Sequence, residues 1–285
     1  MKKNIIITEK QFKTLKDTFR LGTRGDGYYH VNENLESEVE NDDVDLSSFK
    51  PQDNLTNSLW HDGELDPKVR LRLLDISDDF IEFLGIEDVK PVDIRLTGSI
   101  CNYNWSDQSD IDVHIVYDFK EIDDDVELVE NYVDSKKNEW NDMHDSLTIY
   151  GFNVEFYVED KTQIDVSAGE YSLEKGEWIK TPDKESITLR HIGTIKNMSA
   201  KIMTIIDDYY DMFHYVMDDM HKLEELDEEL ESLRVFLKNL RSQQLDQDGE
   251  MAVGNIVYKV LRRTGYLDTL YDLQNKIYDK LNSIE

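Results

Sequence analysis

The chain has 285 residues and a formal net charge of −30, from 62 acidic against 32 basic side chains. Nucleic-acid affinity comes largely from Lys and Arg replacing counterions on phosphates, so a field of this sign disfavours long duplex DNA or RNA unless a local basic groove overrides it. No window approaches the ~18 apolar residues that span a bilayer, and the single cysteine, Cys101, excludes an internal disulfide framework or a cysteine-based zinc site.

A nucleotide held through metal ions meets no electrostatic objection, and an acidic surface also suits cationic small molecules or basic protein partners; the charge can equally serve solubility alone. The start, "MKKNIIITEKQFKTL", has an apolar run too short for a secretory segment, so a cytoplasmic address is expected. Thr8 and Gln11 fit a capping box ahead of a short helix to about Phe19. "LGTRGDGYYH" carries three glycines within six residues and is expected as loop or hairpin, and the acidic stretch from Glu33 to Asp45 as a solvated connection. We divide the chain at 60 and 182, into an N-terminal segment 1–60, a mixed domain 61–182 and a helical domain 183–285.

Asp66 and Pro67 mark a helix start, and the apolar positions from Val69 to Leu84 predict an amphipathic helix closing at Gly85. Strands are predicted over 92–98, 110–119 and 152–160, a long acidic helix over 121–147, and a hairpin over 171–179 around Lys175 and Gly176. After Pro182 no proline follows, and no glycine lies between Gly193 and Gly249. Apolar residues there recur at three- and four-residue steps from Ile206 to Leu240, with a slip between Leu223 and Leu226 where a bend or turn is expected. A last helical pair follows, broken near Gly265. These helices form either a bundle or a coiled coil for homo-oligomerisation. The chain as a whole is α+β.

The chemistry concentrates in "LTGSICNYNWSDQSDIDVHIV", residues 96–116. Residues two apart in a strand share a face, so Asp110, Asp112 and His114 point one way, opposite Ile111, Val113 and Ile115. Carboxylates held so close repel unless a cation lies between them. Magnesium or manganese suits the pair, taking oxygen ligands and keeping waters or phosphate oxygens as the rest. Two such ions can align an attacking hydroxyl with a departing pyrophosphate. Glu155, in "NVEFYVED", supplies the third carboxylate on a neighbouring strand. Gly98 lets backbone N–H groups approach phosphate oxygens, with Ser99 and Ser109 as added donors.

Gly98-Ser99, then Asp110 and Asp112, then an acidic residue on a later strand resembles the active-site pattern of the polymerase-beta-like nucleotidyltransferase superfamily. More closely the chain resembles predicted nucleotidyltransferases of large tailed bacteriophages, sharing "TGS…NYN…SDIDVHI", "VEFYV" and a C-terminal "GE…GN…YK.LRR.GY" that spans Gly249 to Tyr266 here. The resemblance covers roughly residues 60–285. It implies a small mixed β-sheet with helices, two-metal catalysis, and transfer of a nucleoside monophosphate from a nucleoside triphosphate (NTP) to a hydroxyl acceptor with pyrophosphate release. Asp110 and Asp112 would bind both metals, Glu155 would help activate the acceptor, and Gly98 and Ser99 would hold the triphosphate. A glutamate at the third position departs from the commoner aspartate.

Lys259, Arg262 and Arg263, at i, i+3 and i+4, make one basic patch that either neutralises a triphosphate or pairs with surface acids. Tyr103 and Trp105 either stack on a base or pack in the loop, His114 is expected to have a structural partner, and Cys101 is expected as a small filler. The acceptor is expected to be a small molecule or a protein rather than a long nucleic acid, without a membrane. The alternative is a catalytically silent binding or structural protein on this fold, a virion component or an acidic decoy.

Overall fold

Helix α1 (Pro67–Leu84) begins and ends where local chemistry dictates. The Asp66 carboxylate accepts the N–H groups of Lys68 (2.7 Å) and Val69 (3.4 Å), Pro67 takes the first helical position, and Gly85 closes the helix in the left-handed region at φ 69°. Its buried residues, Val69, Leu73, Ser77, Phe80 and Leu84, recur at three- and four-residue steps. Phe80 packs against Trp140 and Phe156, with ring centroids 5.3 and 4.9 Å away.

The computed structural model describes residues 22–23, 29–30, 44–163, 167–248 and 251–284. The predicted helix over Thr8 to Phe19 and the acidic stretch 33–43 lie outside them. Within "LGTRGDGYYH", β1 (Gly22–Thr23) pairs antiparallel with β2 (Tyr29–His30). The described residues fall into two units, Ser47–Thr188 and the remainder. The first of these units starts ahead of residue 60 and runs a few residues past 182. Leu59 and Trp60 join its core, and the Trp60 indole donates to the Ile100 carbonyl at 2.9 Å.

In the first unit a short hairpin, β3 (Trp60–His61) and β4 (Glu64–Leu65), precedes α1. The sheet that follows has six strands: β5 (Asp93–Thr97), β6 (Ile111–Tyr117), β7 (Thr148–Ile149), β8 (Phe152–Asp160), β9 (Glu170–Ser172) and β10 (Glu177–Lys180). Their spatial order is β10-β9-β5-β6-β8-β7, antiparallel except for the parallel pair β6 and β8. A parallel pair needs a long crossover, supplied by α2 (Phe119–Ile122) and α3 (Val126–Met143). The single acidic helix expected over 121–147 is thus two. Asp123 ends the first, and the Asp125 carboxylate caps the second by accepting the Leu128 N–H at 3.2 Å.

One sheet face is apolar: Ile94, Leu96, Ile111, Val113, Ile115, Val154 and Phe156 are buried in one core with Phe80, Val129, Val133 and Trp140 of α1 and α3. Strand alternation then turns Arg95, Thr97, Asp112, His114, Glu155 and Tyr157 to the opposite face.

Asp160, at the end of β8, ties this strand to α2. Partial burial works against its charge. Hydrogen bonds from the Thr162 side chain and from the N–H groups of Phe119 (2.8 Å) and Thr162 (2.9 Å), with the Lys161 charge, outweigh burial and hold its carboxyl below the usual range. A depressed native pKa stabilises the fold above the unfolded value of about 3.9, and the contribution is lost as pH falls through the native value. Asp160→Asn is therefore expected to be less stable than wild type at neutral pH, with the gap narrowing on acidification below about pH 4. Urea denaturation midpoints across that range check this.

The second unit holds four helices, α4 (Ile192–Val216), α5 (Met220–Asp248), α6 (Val253–Arg263) and α7 (Tyr266–Asn282), each touching the other three. Ile202, Ile206, Leu230, Leu237, Ile256, Leu261, Leu270 and Ile277 are among its fully buried residues, as a bundle requires. The break expected between Leu223 and Leu226 instead lies at Met217–Asp219, and both leucines are buried on α5. A three-residue step is ordinary helical spacing, so the slip needs no turn. Gly265, at φ 78°, joins α6 to α7. Among the described residues no helix is long and apolar enough to cross a membrane.

Candidate active site

The polar sheet face is assembled by register. Thr97 of β5 pairs with Asp112 of β6, and Asp112 in turn lies opposite Glu155 of β8. Asp112 and Glu155 thus stand side by side on adjacent strands, about 5 Å apart along the hydrogen-bonding direction. Asp110 immediately precedes β6. One turn of alternation further, His114 lies opposite Tyr157.

Gly98 follows β5 at φ 73°, ψ −164°, a region that is essentially glycine-only. A Cβ there would lie 2.0 Å from Asp112 Oδ2, so the Asp112 carboxyl fills the space that a side chain at 98 would take. The Gly98 N–H donates to Ser167 Oγ at 3.2 Å. The next residues form a 3-10 turn, Ser99–Cys101. Ser99 donates to Ser109 Oγ at 2.8 Å, and the Ser106 N–H donates to the same oxygen at 2.9 Å. Ser99 and Ser109, ten residues apart, are therefore brought together and clasp the loop between the two strands.

Tyr157 reports on the electrostatics. Its hydroxyl donates to Glu155 Oε2 at 2.5 Å. Burial pushes its pKa far up, and the charges of Asp112, Glu155 and Asp110 push it further. All three carboxylates thus act on one half-buried hydroxyl, which stays a proton donor at neutral pH. Among the described residues no three His, Cys, Asp or Glu side chains close into a ready-made metal cage. The donors on this face are an in-register carboxylate pair with a third close by. That suits a hard cation that keeps waters or phosphate oxygens as its remaining ligands.

Farther along the same face lies an ion-pair network. His114 Nδ1 meets Glu159 Oε2 at 2.9 Å, giving the histidine its structural partner. Arg95 donates from Nη1 to Glu170 Oε1 at 2.7 Å, with Glu159 Oε1 at 3.8 Å and Asp93 Oδ2 3.6 Å from its Nε. These contacts tie β5, β6, β8 and β9 together beside the carboxylates. Arg95, Tyr157 and Ser167 were not read from the sequence as site residues. The first two were legible, since strand alternation puts them on the same face as Thr97 and Glu155; Ser167 carries no such signal.

Trp105 is a packing residue: its indole donates to the Asn54 carbonyl at 2.8 Å and its ring borders the core. The Tyr103 ring has Lys184 Nζ 5.9 Å from its centroid. Cys101 is fully buried, as a filler requires. Lys161 pairs with Asp118. Lys259 and Arg262, with Arg263, belong to α6 in the second unit.

The chain matches no protein-family model and no curated protein. Among solved structures it is similar to a STING-associated CdnE c-di-GMP synthase from Capnocytophaga granulosa, at 12% identity over 76% of this chain and 82% of that one, with a TM-score of 0.19.

Proposed function

We propose that this protein is a nucleotidyltransferase of the polymerase-beta-like kind, moving a nucleoside monophosphate from an NTP to a hydroxyl acceptor. The single observation that carries the proposal is the register of Asp112 against Glu155, with the Asp112 carboxyl seated where Gly98 lacks a side chain. Asp110, Asp112 and Glu155 would hold two magnesium or manganese ions. When bound, these supply positive charge that offsets the charge developing on the transferring phosphate.

The chain's own residues do the rest. Gly98, with no side chain, leaves the room that the Asp112 carboxyl fills, and the Ser99 hydroxyl would turn from Ser109 to donate to a phosphate oxygen. The acceptor oxygen bonds to the α-phosphorus, the bond to the β-phosphate oxygen breaks, and pyrophosphate leaves. Glu155 takes the acceptor's proton, and the Tyr157 hydroxyl fixes which of its oxygens faces the reaction. The net charge of −30 favours a small-molecule or protein hydroxyl over a long polynucleotide as acceptor.

Incubation with each labelled NTP and magnesium or manganese tests this. Pyrophosphate release that Asp110→Ala/Asp112→Ala abolishes supports the proposal. Wild-type protein with neither release nor metal-dependent nucleotide binding would overturn it in favour of a catalytically silent binding protein.

Tyr157→Phe keeps the ring and removes the bond to Glu155. Because groups that orient metal-binding carboxylates contribute about 10–100-fold in metal affinity or activity, the magnesium concentration for half-maximal pyrophosphate release is expected to rise by about tenfold. An unchanged metal dependence would leave Tyr157 a packing residue.

A further inference from the structure

We infer that the helical unit carries a separate binding site for a phosphate-bearing small molecule of nucleotide size, in a cavity lined by Arg234, Lys238, Arg241, Tyr258 and Tyr271. The cavity is about 330 Å³, with buried Val235 as its apolar floor. That volume matches small-ligand sites. Arg234, Lys238 and Arg241 stand at i, i+4 and i+7, on one face of α5, while Tyr258 comes from α6 and Tyr271 from α7.

The charge at this spot runs against the chain. Acidic residues outnumber basic ones 62 to 32, yet three cations share one helix face. Like charges at these spacings destabilise a helix. Arg234 is held in place by a two-pronged pair with Glu231, at 2.7 and 2.8 Å, and Gln274 braces the same carboxylate at 3.1 Å. Among the described residues, Lys238 and Arg241 make no ion pair with any acid. Arg241 lies over the Tyr258 ring at 4.7 Å, which positions the guanidinium without neutralising it. An uncompensated pair of cations, aimed into a cavity with a fixed arginine beside it, is what a phosphate group requires.

The two tyrosines add the ring-recognising part. Burial, then the hydrogen bond with Tyr258, pushes the Tyr271 hydroxyl up to about 12 despite the nearby Arg234 and Arg241 charges. The Tyr271 hydroxyl therefore stays protonated at physiological pH, and the two rings offer aromatic surface against which a planar base can rest. The site takes its ligand without a metal ion and stands independently of the carboxylate site.

The test is calorimetric titration of the full chain with AMP and with inorganic phosphate, in EDTA so that no divalent ion supports binding elsewhere. Wild type is expected to bind both, AMP more tightly. Lys238→Ala/Arg241→Ala is expected to weaken AMP binding by about tenfold or more, from the loss of two charge-assisted hydrogen bonds. Lys238→Arg/Arg241→Lys, which keeps both charges, is expected to retain most of the affinity. Both positions reach solvent, so thermal melts should match wild type. Wild-type protein that binds neither probe, or a double-alanine variant that binds as wild type does, overturns the site. Equal affinities for phosphate and AMP overturn the role given to Tyr258 and Tyr271.

Discussion

Asp112→Asn is expected to reduce metal-dependent pyrophosphate release by about a thousandfold or more, equivalent to about 4 kcal/mol of transition-state stabilisation. Asparagine keeps the shape of the side chain and one oxygen but removes the charge that would hold a divalent cation. The fold should not suffer, and the expected sign for stability is the opposite one. Without metal, Asp112 shares its face with Glu155, its register neighbour, and Asp110 acts on the same Tyr157 hydroxyl. Three carboxylates so placed repel one another, and removing one charge relieves that repulsion. The metal-free variant should therefore melt at or above the wild-type temperature, whereas magnesium should raise the melting temperature of wild type alone. Thermal melts with and without magnesium, beside the pyrophosphate assay, separate the two effects. An equal magnesium response in both proteins would remove Asp112 from the metal site.

Gly98→Ala is expected to damage stability and activity together. The backbone there sits at φ 73°, ψ −164°, which costs any residue with a side chain about 1–3 kcal/mol. The added methyl would also lie 2.0 Å from Asp112 Oδ2, a distance that real atoms do not share, so Asp112 must rotate away. Pyrophosphate release should then fall nearly as far as in Asp112→Asn. Gly265→Ala provides the control. Its φ of 78° is also left-handed, but a Cβ there meets nothing within 4 Å. That substitution should cost about 1–2 kcal/mol of stability and leave pyrophosphate release unchanged. Urea denaturation paired with the activity assay distinguishes backbone strain from displacement of the carboxylate. Activity retained in Gly98→Ala would show that Asp112 does not need the space beside residue 98.

Much of the architecture is local and therefore readable in advance. The Asp66-Pro67 start, the Gly85 stop and the alternation through 111–117 each follow from chemistry within a few residues. Boundaries were less legible where a short acidic break, Asp123 to Asp125, divides one helical pattern into two. The bundle's turn at Met217–Asp219 was misplaced for a related reason: three- and four-residue steps both occur inside one helix, so a change of step does not mark a break.

By itself the sequence determined that Asp112 and His114 share a strand face, that Glu155 lies on the polar side of another strand, and that a glycine precedes the loop. These are consequences of a two-residue repeat and of backbone sterics. Only the tertiary structure decided that β8 runs parallel to β6 with Glu155 beside Asp112, because register between strands joined through α2 and α3 depends on how the crossover packs. It also decided that the Asp112 carboxyl occupies the space beside Gly98, and that Tyr157 bonds to Glu155 under the charge of all three carboxylates. The same holds for Arg234, Lys238 and Arg241. Their spacing on α5 is in the sequence, but the tyrosines that complete the cavity come from two other helices, and no local rule brings them there.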